Sequence, residues 1–194
     1  MSLPASPART GVWVGIAAIT MSFAAYTSAL VVRQGSGGDW QHFHLPPLLY
    51  LNTLVLLASS LALEVGRSRV RWSWVRMASE AGSARKAVPD GTGYLALTFG
   101  LGLLFVAGQV AAWRDLAAQG LFLATNPSAS FFYVLTALHA LHLLGGIIAM
   151  GYVIVRIRRL AGDPPESALA AAALYWHFMD VLWLYLLLVL ALRL

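Results

Sequence analysis

No cysteine occurs in the chain, so disulfides, thiolate-held clusters and cysteine nucleophiles are all excluded. Charge is scarce as well: 11% of the 194 residues are charged against 59% hydrophobic, and the mean hydropathy is +0.72. A water-soluble domain of this size has no interior large enough for so much apolar surface, which makes the bilayer the solvent. Acidic residues are the rarer sign, 8 against 13 basic, and the net charge of +5 comes almost wholly from arginine. In a soluble protein that balance would suggest nucleic acid. In an apolar chain it reports topology, and no nucleic-acid partner is expected. Phosphate-cradling glycine loops, nucleophile triads and nucleotide motifs are also missing.

What the chain does contain is five apolar runs, near residues 12–32, 46–66, 92–113, 130–155 and 169–192. Each has the length of about 20 residues that a membrane-spanning helix needs. The runs are continuous rather than alternating, which predicts helices and not barrel strands. The first run is too long for a signal peptide, has only Arg9 before it, and lacks a small-residue cleavage site. The expectation is an all-α integral membrane bundle of five transmembrane helices, a single membrane domain over residues 1–194.

Arginines set the expected orientation. The second connection holds Arg67, Arg69, Arg71, Arg76, Arg85 and Lys86, and the fourth holds Arg156, Arg158 and Arg159, whereas the first and third carry only Arg33 and Arg114. Positive loops stay inside, so the N-terminus is expected to be cytoplasmic and the C-terminus periplasmic, in a bacterial inner membrane. Gln34–Asp39 reads as a flexible outer loop that leads through His42 and His44 to Pro46-Pro47, prolines suited to a helix start. Residues 67–91 read as a basic inner loop on anionic headgroups, with Trp72 and Trp74, and Gly162–Pro165 as a shorter turn. Small residues four apart, Gly108 with Ala112 and Gly145 with Ala149, suit close helix contact.

The polar residues inside these runs carry the functional reading. His139 and His142 lie one turn apart on the fourth helix, and His177 and Asp180 one turn apart on the fifth. An aspartate at the centre of a membrane helix costs roughly 2.5–3.5 kcal/mol on insertion scales, so these groups should face protein and find partners. The expected arrangement is a polar seam between helices four and five, in which Asp180 and the imidazoles bond one another and hydroxyls such as Tyr175 or Thr136. Three histidines and a carboxylate also suit a transition metal, haem ligation or a proton relay. Glu64, three residues before Arg67, is either a carboxylate for proton uptake at the inner mouth of a pathway or half of an interfacial ion pair. Asn52, Thr53, Ser59, Ser60 and Gln109 place amides and hydroxyls inside helices two and three. Trp176, with Asn52, Thr53 and Gln109, is expected to line a cleft for phospholipid, by stacking on a chain or headgroup.

The run Tyr175-Trp176-His177-Phe178-Met179-Asp180-Val181-Leu182-Trp183 closely resembles the tryptophan-histidine-phenylalanine-valine-aspartate signature of subunit III of the haem–copper terminal oxidases. His139-Ala140-Leu141-His142 with Gly146 resembles that family's paired-histidine helix, Asn52-Thr53 followed by Leu56–Ser60 its asparagine-threonine helix, and Gly108-Gln109 a weaker element. They fall in the family's order, on separate helices, from about residue 45 onward, in the short five-helix bacterial form. The resemblance implies an accessory subunit with no metal centre or other cofactor of its own, haem and copper lying on partner chains. It would bind the catalytic oxidase subunit I among other oxidase subunits, hold phospholipid and help sustain proton uptake during oxygen reduction. A quinol oxidase or a nitric-oxide-reductase-associated complex is the alternative within this reading. A self-contained enzyme using the histidines as a metal site is the alternative outside it. Longer members carry carboxylates where this chain has Pro47 and Ala112, which removes those positions from any proton-collecting role here.

Overall fold

A computed structural model describes residues 7–79, 89–159 and 166–194. They form five helices: α1 (Pro7–Ser36), α2 (Leu48–Ser79), α3 (Thr92–Ala118), α4 (Pro127–Arg159) and α5 (Glu166–Arg193). Each is long and apolar enough to cross a membrane, and no strand occurs among the described residues. The expected all-α architecture is the observed one.

The helices outrun the apolar runs. Residues 67–79 form the last turns of α2 rather than a loop, so Arg67, Arg69, Arg71 and Arg76 ride on a helix. Arginine is a good helix former and no proline interrupts the stretch, so nothing local ends the helix when hydropathy falls. Gln34, Gly35 and Ser36 likewise belong to the last turn of α1, which stops only at Gly37-Gly38. Arg85, Lys86 and the expected Gly162–Pro165 turn lie outside the described residues.

Helix ends are specified locally. Asn126 caps α4, its Oδ1 accepting the Ala129 backbone N–H at 2.7 Å, and Pro127 fills the first helical position, where no donor is needed. Gly120 closes α3 at φ 80°, with Gly120 N–H to Ala117 O at 3.0 Å and Leu121 N–H to Leu116 O at 3.1 Å. That pair of bonds needs a left-handed residue, which glycine adopts without a side-chain penalty.

α2, α3, α4 and α5 form a four-membered ring, each touching the next, and α1 packs on the outside against α5 and α4. α1 and α2 do not touch each other, although both lie on α5. The α1 seam is narrow: Ile16, Phe23 and Leu30 recur every seven residues and are buried, whereas Trp13, Val14, Met21 and Val32 are exposed. A seven-residue repeat keeps one stripe of a helix against its neighbour.

The connection between α1 and α2 is tied to the end of α5. Gln34 Nε2 and Trp40 Nε1 donate to Arg193 O at 3.2 and 3.0 Å, and the Phe43 N–H donates to Leu194 O at 2.9 Å. His42 joins them, its Nδ1 3.1 Å from Leu194 O. Arg33 Nη2 donates to Asp39 Oδ2 at 2.6 Å, and this bond holds the Asp39 carboxyl below its ordinary value of 3.8. A carboxyl lowered on folding adds stability above its unfolded pKa, and that contribution is lost as pH falls through the folded value. Arg33→Gln is therefore expected to raise the Asp39 midpoint toward 3.8, as followed by carboxyl-carbon NMR. An unmoved midpoint would mean that the pair does not form.

Candidate functional site

α5 carries two tryptophans two turns apart, Trp176 and Trp183, and both are fully buried at the centre of the ring. α3 and α5 face each other diagonally without backbone contact, and the indoles fill the space between them. Trp176 lies against Gly102 of α3, where an added Cβ would come within 2.7 Å of the ring, and against Gly146 of α4. Trp183 meets Phe105 of α3 edge-on at 4.9 Å and His139 of α4 at 5.0 Å.

Each indole N–H finds a hydroxyl on α2: Trp176 Nε1 donates to Ser59 Oγ at 3.1 Å, and Trp183 Nε1 to Thr53 Oγ1 at 3.0 Å. The hydroxyls pass their own protons to helix carbonyls, Ser59 to Leu56 O at 2.6 Å and Thr53 to Leu49 O at 2.8 Å. Donor and acceptor capacity are thus both used in a medium that offers neither.

These positions correct the expectation of a lipid cleft. Trp176 and Gln109 are fully buried, and Asn52 and Thr53 nearly so, so no lipid reaches them in this fold. Asn52 Nδ2 donates to Phe105 O of α3 at 3.5 Å, and its carboxamide occupies the space where a Gly108 side chain would stand. The second small-residue pair is also displaced. The α4 glycine packed closely on α5 is Gly146, 3.2 Å from the Tyr175 ring for an added Cβ, while a Cβ on Gly145 would meet only the Tyr175 hydroxyl, at 3.9 Å. One residue is about 100° of helix rotation, enough to move a contact to another face.

The four residues expected to form one seam between α4 and α5 are distributed differently. His177 turns to α2, its Nε2 2.9 Å from Glu64 Oε1 and its Nδ1 2.7 Å from Ser60 Oγ. An ionised carboxylate only accepts, so Nε2 donates to Glu64, and Nδ1 lies within hydrogen-bond reach of the Ser60 hydroxyl. Glu64 also accepts from Arg67 Nη1 at 3.1 Å, so the expected ion pair with Arg67 forms within the same network. Asp180 is nearly buried, with Oδ2 3.9 Å from His177 Nδ1, beyond hydrogen-bond length.

His142 stays on its own helix, its Nδ1 2.7 Å from Leu138 O, with Phe23 of α1 edge-on at 5.8 Å. Tyr175 reaches α4 by donating to His142 O at 3.0 Å. Thr136 accepts from Trp113 Nε1 at 3.0 Å. His139 sits in an aromatic box of Phe105 and Trp183. The ring nitrogens of His139, the carboxamide of Gln109 and the Asp180 oxygens have no hydrogen-bond partner among the described residues. The imidazoles therefore lie in separate surroundings, and among the described residues no three of the metal-ligating side chains converge.

Sequence reasoning missed the Ser60–His177–Glu64 network and the indole-to-hydroxyl bonds. The available signal was the periodicity of α2, where Thr53, Ser60 and Glu64 share a face at spacings of seven and four.

Comparison with known proteins adds a family to this geometry. A family profile described as cytochrome c oxidase subunit III matches residues 14–192. The probable cytochrome c oxidase subunit 3 of Mycobacterium tuberculosis is 33% identical over 172 residues, 84% of this chain and 75% of that protein. Cytochrome c oxidase subunit 3 of Thermostichus vulcanus is 30% identical over 181 residues, 91% of this chain and 82% of its relative. The Synechocystis protein of the same name is 32% identical over 138 residues, 70% and 52% of the two chains.

Proposed function

The chain belongs to the cytochrome c oxidase subunit III family, and from that premise we propose that it serves a bacterial respiratory haem–copper oxidase as an accessory subunit without a redox centre of its own. The observation that carries this reading is the use made of the family motif. Trp176, His177 and Trp183 all spend their polar atoms on α2, which makes the motif a device for joining helices. Haem and copper then belong to partner chains, and this one stabilises the catalytic subunit.

Proton supply is the second element of the proposal. The arginine-rich ends of α2 and α4 lie in the cytoplasm by the positive-inside rule. Glu64 and His177 form a half-exposed carboxylate–imidazole pair near that end, suited to holding a proton for the oxidase. Phospholipid is the third. Val110, Trp113, Ala117, Phe122, Leu123 and Tyr133 line a cavity of about 310 Å³ with Arg114 as the charged group, an apolar bed for a chain beside a cation for a phosphate.

Affinity purification of the tagged chain from membranes is expected to bring down haem- and copper-bearing polypeptides. His177→Ala should leave metal per complex unchanged, and Glu64→Gln should slow turnover with unaltered haem spectra. A lone chain holding stoichiometric metal that His177→Ala removes would overturn the reading.

A further inference from the structure

One lateral face of the bundle is built unlike the rest. α1 and α2 both pack on α5 but not on each other, which leaves a trough floored by α5. Along it, α2 presents Leu57, Leu61 and Glu64, and α5 presents His177, Val181 and Leu184. The apolar members recur at spacings of three and four, the ridge pattern into which another helix packs.

Within the trough the Glu64 and His177 side chains are 52% and 37% exposed. Sixteen residues separate Leu48 from Glu64 and sixteen separate His177 from Arg193, in each case about 24 Å of helix. Against a hydrocarbon layer about 30 Å thick, the pair sits about one helical turn inside the cytoplasmic edge of the apolar region. Among the described residues no other carboxylate is exposed at such depth: α1, α3 and α4 carry none between their end charges, and Asp180 is buried.

Glu64 Oε1 is engaged by His177 and Arg67, while Oε2 accepts no bond among the described residues. An ionisable group at that depth survives by facing protein rather than lipid chains. Toward the outer ends of α2 and α5 lies a cavity of about 340 Å³ lined by Tyr50, Leu190, Ala191 and the His42–Leu45 segment.

We infer that this trough seats a transmembrane helix of a partner oxidase subunit, with one hydrogen-bond donor on that helix reaching Glu64 Oε2. The inference rests on the subunit reading above and adds the face through which the subunit docks. The single free carboxylate oxygen specifies the partner's chemistry: an apolar helix with a lone hydroxyl, amide or cationic side chain at the Glu64 level. It also sets register, because only one axial position satisfies the donor.

The test uses the assembled oxidase in native membranes. A photoreactive benzophenone side chain replaces Leu61, Val181 or, as a control on the far side of the ring, Ile148 of α4. The expected result is cross-linking of the first two positions to an oxidase polypeptide and of the third to lipid. A second measurement guards against misfolding. Leu61→Trp should release the chain from the complex at least about tenfold more readily than Ile148→Trp, as expected where an interface core is packed like an interior, while both variants insert normally. Cross-linking to lipid alone at all three positions, or to a second copy of this chain, within a complex that still contains haem and copper would overturn the docking face and leave the subunit reading standing. Recovery of the chain without any haem- or copper-bearing partner would overturn the subunit reading itself.

Discussion

Trp176→Ala is expected to lower the unfolding free energy of the detergent-solubilised protein by about 3–5 kcal/mol, the range for removing a buried tryptophan from a close-packed core. The indole is fully enclosed and occupies the space between Gly102 and Gly146. Alanine would leave that space empty, because α3 and α5 have no backbone contact across it and cannot collapse together without breaking the ring. In a bilayer the loss is not softened by an apolar solvent outside. Helices there associate through packing and hydrogen bonds rather than exclusion from water, so the missing contacts are the driving force itself. The substitution also removes the donor to Ser59 Oγ at 3.1 Å. Trp72→Ala is the matched control: that indole is exposed on the last turns of α2, and its removal should change stability by no more than about 0.5 kcal/mol. Chemical denaturation followed by tryptophan fluorescence and helical circular dichroism separates the two, and equal effects would contradict the central placement of Trp176.

Gly108→Ala is expected to cost about 1–3 kcal/mol through overpacking, a large effect for one methyl group. A Cβ at this position overlaps the Asn52 carboxamide, and Asn52 is buried with its Nδ2 3.5 Å from Phe105 O. The amide cannot swing out, so α2 must move from α3. Asn52→Ala removes the obstruction at the cost of its own hydrogen bond, and the double variant should recover part of what Gly108→Ala loses. A double-mutant cycle reads the coupling directly. Strict additivity would mean that the two side chains do not meet. Gly100→Ala, one helix face away with open space around it, should be nearly neutral.

Much of this was legible from residue order. Hydropathy marked five membrane-length helices. What hydropathy could not mark was where helices stop, since Arg67–Arg76 extend α2 as readily as leucine would. Glu64 illustrates the limit at the site. Its partner Arg67 is three residues away and was readable, but its other partner, His177, comes from a helix more than a hundred residues later. Periodicity assigns a residue to a face and does not say which helix that face meets. Trp176 shows the same limit in another form. α5 is apolar on nearly every side, so its sequence does not distinguish the face toward protein from the face toward lipid, and an indole suited to either was assigned to lipid. The aspartate was expected to bond the imidazoles because burial without partners is costly. The structure instead leaves Asp180 close to His177 but beyond bonding length.

α5 touches α1, α2 and α4 and carries both central indoles, yet it is the last of the five helices to be synthesised. Until it arrives, α1 lacks its main neighbour, and Ser59 and Thr53 lack the donors they await. Although α2, α3 and α4 can already pack on one another, α1 and the α2 hydroxyls are expected to stay unengaged until α5 is inserted. Chains stalled before residue 166 should thus remain open to membrane quality-control proteases, whereas those extended past Trp183 should not.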